Sequence, residues 1–112
     1  MSGSNGTTPA GGAAFPRSLD WNAVVARYGS GALIPGAASI SVTGADDEFI
    51  YVKHRLWCDR FSRKHFEKAV ALLGAGKMSR DKSSFIEQYR IFATEERPTT
   101  AAWIMKDLGF LL

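Results

Sequence analysis

Apolar side chains recur at helical spacing along most of this chain, and that period commits it to packing helices by their faces. Trp21, Val24, Val25 and Tyr28 fall at i, i+3, i+4 and i+7, with Ser18 placed to cap, Asp20 in the first turn and Arg27 ahead of Gly29 at the end. Phe66, Ala69, Val70 and Leu73 form a second face after a cap at Ser62, and Gly74, Ala75 and Gly76 close it. From about residue 80 to 95, Phe85, Ile86, Tyr89, Phe92 and Ala93 keep the period, and Ser84 with Glu87 has capping-box spacing. Beyond Pro98, the residues Ala101, Ile104, Met105 and Leu108 make a last short face, ended by Gly109 with Phe110 folding back on it.

Residues 39–57 support two readings. Ile40 and Val42 alternate with serine and threonine, and Phe49, Ile50, Tyr51 and Val52 are strand formers, so a hairpin turning at residues 44–47 is one of them. The other is a helix over residues 47–60, opened by the acidic Asp46, Asp47 and Glu48 and carrying Phe49, Val52 and Leu56 at helical spacing beside Trp57. The helix is the preferred reading, with a short strand or hairpin near residues 39–52 left open. Residues 29–38 read as a loop pinned to the core by Leu33 and Ile34. Residues 1–17 hold only Phe15 as a large apolar side chain and read as a flexible tail. The expected fold is therefore mainly α, a compact bundle of about five helices forming a single domain over residues 18–112. A single cysteine excludes an internal disulfide, and the absence of a long apolar run or a basic leader points to a cytoplasmic protein without a membrane partner.

Charge is distributed unevenly. Between Lys53 and Lys82 there are nine basic residues against three acidic ones, a net of +6, whereas the whole chain carries only +3. Such asymmetry is the electrostatic footprint of a polyanion-binding surface. Basic helix faces also serve solubility alone, which is the plainer alternative. The expected function is a small non-enzymatic binding protein, nucleic-acid-binding or regulatory, with Arg55, Arg60, Arg63, Lys64, Lys68, Lys77, Arg80 and Lys82 as phosphate contacts. The helices flanking Pro98 are compatible with a helix-turn-helix unit, though two ordinary packed helices explain the same residues.

Trp57 and Trp103 lie at the edges of their apolar faces, where an indole either seals the core or anchors a partner. They support the alternative function, a protein-interaction module such as an adaptor or inhibitor, also able to act as a homodimer. His54 and Cys58 would be neighbours on a helix, with His65 beyond, but catalysis there lacks oxyanion donors and a metal lacks a fourth ligand. The glycine-rich pieces lack the flanking residues of a phosphate loop. No cofactor, metal or catalytic residue is expected.

Overall fold

A computed structural model describes residues 18–112. The flexible tail expected at residues 1–17 lies outside the described residues. The chain opens on helix α1 (Trp21–Tyr28), forms strands β1 (Ala32–Leu33), β2 (Ile40–Ala45), β3 (Phe49–His54) and β4 (Trp57–Ser62), and closes with helices α2 (Arg63–Gly74), α3 (Lys82–Phe92) and α4 (Pro98–Asp107). The strands make one antiparallel meander in the order β1-β2-β3-β4. The architecture is thus α+β, with four helices and a four-stranded sheet among the described residues, and it overturns the expected bundle of about five helices.

The error lies in the helix expected over residues 47–60, which is instead the β3–β4 hairpin with its preceding turn. One Asp46 carboxylate oxygen accepts the backbone N–H groups of Glu48 and Phe49, each at 2.9 Å. A helix N-cap makes the same two bonds, so an acidic turn before an apolar run reads equally as a helix start or as the turn into a strand. Burial then decides between them. Ile50 and Val52 point into the core while Phe49, Tyr51 and Lys53 point away, a period of two, and Leu56 of the supposed helical stripe is 79% exposed at the hairpin tip. Leu33 belongs to β1 and is 75% exposed, so Ile34 alone of the expected pair anchors the loop.

The helices otherwise keep their expected places, except that Phe92, expected on the apolar face of α3, is 46% exposed at its end. Ser62 caps α2 by accepting the Lys64 N–H, whereas Asp20 and Asp81, not Ser18 and Ser84, cap α1 and α3. Gly109 takes a φ of +96°, its N–H reaches the Lys106 carbonyl and the N–H of Phe110 reaches that of Met105, which closes α4 and turns Phe110 into the core. The inner sheet face presents Val42, Ile50, Val52 and Phe61 to the helical layer. A chain of rings joins the layers: Phe61 lies 5.6 Å from Phe66 of α2, which meets Tyr89 of α3 edge-on at 6.2 Å. Among the described residues no helix is long and apolar enough to cross a membrane.

Candidate nucleic-acid interface

Strand alternation sorts the hairpin residues onto two faces. Cross-strand register pairs Phe49 with Ser62, Tyr51 with Arg60 and Lys53 with Cys58, and all six point away from the helices. Thr43, Lys53, Cys58 and Arg60 are exposed, so this outer face is open to solvent. The Arg60 guanidinium lies over the Phe49 ring at 4.1 Å from its centroid, and the Phe49 and Tyr51 rings are 6.1 Å apart. The Tyr51 hydroxyl donates to the second oxygen of Asp46, which fixes the ring. That bond, with the backbone N–H groups of Glu48 and Phe49, holds the Asp46 carboxyl below the usual carboxylate range, and it pushes the Tyr51 hydroxyl upward in turn.

The eight basic residues expected to contact phosphate divide into two sets. Three serve the fold. Arg63 donates to Glu67 at 3.0 Å and to the Asp47 carbonyl at 3.1 Å. Arg80 donates to the carbonyls of Phe110 and Gly109, pinning the C-terminal segment. Lys82 sits 3.4 Å from the centroid of the Trp103 ring. A fourth, Lys77, lies beyond the end of α2, separated from Lys64 by most of that helix, roughly 15 Å at 1.5 Å per residue. Of the other four, Arg55 and Arg60 belong to the hairpin and Lys64 and Lys68 to α2. Arg60 stands on the outer face, Arg55 is at the hairpin tip, and Lys64 borders an open groove of about 550 Å³ that it shares with Phe49, Ser62 and Arg63 and with the acidic Asp47, Glu48 and Glu67. Lys68 follows one turn further on the exposed side of α2. Lys53 joins this set from β3, although the sequence counted it only toward net charge.

Phe49 and Tyr51 are not among the candidate residues picked from the sequence, although they stand on the same outer face as Lys53 and Arg60. Their signal was present in the sequence, since Phe49, Tyr51 and Lys53 stand at i, i+2 and i+4, which share one face in a strand and not in a helix. The same alternation removes the expected proximity of His54 and Cys58, which project from opposite faces of the sheet. His54 instead stacks on Trp57 at 5.2 Å and accepts the Leu56 N–H, shaping the hairpin tip.

Neither edge tryptophan presents a bare ring. Arg97 lies 3.6 Å from the centroid of Trp57, held there by an ion pair with Asp59. Trp103 packs on Gly36, whose φ is +84° and where an added Cβ would come within 2.8 Å of the indole. Helix α4 buries Thr100, Ala101, Ala102, Ile104 and Met105 against the core, the packing of an ordinary amphipathic helix. No protein-family model, curated protein or solved structure matches the chain.

Proposed function

We propose that this is a nucleic-acid-binding protein that meets the phosphate backbone with Lys53, Arg55, Arg60, Lys64 and Lys68. The observation that carries the reading is the basic character of the hairpin's solvent-facing side, where Lys53 and Arg60 stand on the outer face and Arg55 at its tip. Lys53, Arg55, Lys64 and Lys68 make no ion pair among the described residues; Lys53 shares the outer sheet face with Arg60, Arg55 is at the hairpin tip, and Lys64 and Lys68 stand on the exposed side of α2. Unneutralised cations gathered along one surface raise the local concentration of a polyanion and release its counterions on contact. The binding is non-enzymatic in this reading. The exposed Cys58 is the chain's single cysteine and suits a reducing compartment such as the cytoplasm.

Fluorescence anisotropy of a labelled mixed-sequence oligonucleotide at 50 and 200 mM salt tests the proposal. With about five phosphate contacts the affinity falls on the order of 100-fold across that range. The combined Lys53→Ala, Arg55→Ala, Lys64→Ala and Lys68→Ala variant binds weakly and loses most of the salt slope, while Lys77→Ala leaves both unchanged. No binding at 50 mM salt, or a quadruple variant that keeps the full slope, contradicts it.

A further inference from the structure

We infer that the nucleic acid taken by this surface is single-stranded, with its bases stacking on Phe49 and Tyr51, an inference that rests on the nucleic-acid reading above. The two rings stand at alternate positions of β3, a strand paired on both sides, so they share one face of a supported sheet. Both are half-buried, their ring centroids are 6.1 Å apart with the planes tilted by 46°, and the Arg60 guanidinium already covers Phe49, so on that side a base meets the guanidinium plane, with the Phe49 ring behind it, next to the Tyr51 ring. Aromatic and guanidinium planes are what unpaired bases stack on, and every base offers a π-face irrespective of sequence. A duplex keeps its base faces within its own stack and offers a protein only groove edges and phosphates. Rings on a broad open sheet therefore have little to bind on duplex DNA.

The surroundings of the rings point the same way. The bond from the Tyr51 hydroxyl to Asp46 holds its ring before any ligand arrives, which lowers the entropy cost of stacking. Asp46, Asp47 and Glu48 cluster in the β2–β3 turn beside Phe49 and repel phosphates there. Lys53 and Arg55 lie toward the opposite end of the hairpin, and Lys64 lies beyond Ser62. A strand whose bases cover the rings thus has Lys53 and Arg55 for its phosphates at the hairpin-tip end, while at the other end Lys64 shares its groove with Asp47, Glu48 and Glu67 and the acidic turn bounds the site.

Anisotropy with a labelled single-stranded DNA, a single-stranded RNA and a duplex of the same sequence, all at 50 mM salt, tests the inference. Both single strands bind at least about tenfold tighter than the duplex. Phe49→Leu combined with Tyr51→Leu keeps the apolar bulk but removes the π-faces, and it costs about tenfold or more in single-strand affinity while the salt slope stays. Photo-crosslinking of an oligonucleotide carrying 5-iodouracil to the unmodified protein places adducts on Phe49 or Tyr51, a readout that stands if the double variant fails to fold. A duplex bound as tightly as the single strands, a folded double variant with unchanged single-strand affinity, or adducts confined to other residues overturns the inference while leaving nucleic-acid binding intact. Failure of all three probes to bind overturns the nucleic-acid reading itself.

Discussion

Phe66→Ala lowers the stability of the protein by about 3–5 kcal/mol, a large share of the roughly 5–15 kcal/mol that a domain of this size possesses. Phe66 is fully buried in the first turns of α2 and touches both Phe61 on the sheet and Tyr89 on α3. Truncation removes the apolar surface of the ring and leaves a cavity at the joint between the two layers, where the sheet and α3 cannot collapse together without moving α2. Alanine favours helix, so the loss reports packing rather than helix propensity. Urea denaturation measures it, and a loss below about 1 kcal/mol, the scale of modest surface changes, contradicts the placement of this ring.

Asp107→Ala costs about 2–3 kcal/mol by removing the tie between the first and last helices, a figure discounted because one partner is partly solvated. The Asp107 carboxylate, 7% exposed, accepts Nε of Arg27 at 2.6 Å, a second guanidinium nitrogen at 2.9 Å and the Tyr28 hydroxyl at 2.5 Å. Removing it strands the hydroxyl of Tyr28, a buried residue, without its acceptor. The site also carries a pH signature. Burial pushes the Asp107 carboxyl up, but the bonds from Arg27 and Tyr28 more than reverse this and leave it below the usual carboxylate range. A group whose folded pKa is depressed stabilises the fold above its unfolded value, near pH 4, and this contribution disappears as the pH falls through the lower folded value. Asp107→Asn, which keeps a hydrogen-bond acceptor, therefore loses part of the stability measured at pH 7 and flattens its decline in acid. A wild-type acid limb identical to that of Asp107→Asn contradicts the assignment.

The elements with a core-facing helical stripe were legible because their burial repeats locally. Phe66, Ala69, Val70 and Leu73 identify α2 without knowledge of what they pack against, and the Gly109–Phe110 ending of α4 is written in adjacent residues. The β3–β4 hairpin was not legible in the same way. Its two turns use signals shared with helices: Asp46 accepts two N–H groups as an N-cap does, and Arg55-Leu56 lacks the Asn-Gly or Gly-rich signature of a tight hairpin turn. His54 compensates by accepting the Leu56 N–H through its side chain, a contact no spacing rule encodes. The basic character of the candidate site followed from counting charges, but which of its cations are free of contacts within the fold did not. Arg63, Arg80 and Lys82 are withdrawn from it by Glu67, by the C-terminal carbonyls and by Trp103, partners distant in sequence for the latter two. The aromatic members became visible only once β3 was known to be a strand.

The most direct measurement of the binding account is a titration of isotope-labelled protein with a short single-stranded oligonucleotide, followed by backbone and aromatic NMR shifts. The shifts concentrate on Phe49, Tyr51, Lys53, Arg55 and Arg60, extend to Lys64 and Lys68, and leave Lys77, Lys82 and the exposed side of α4 unmoved. Shifts centred on α4 and Lys82, with the outer sheet face silent at saturation, contradict it.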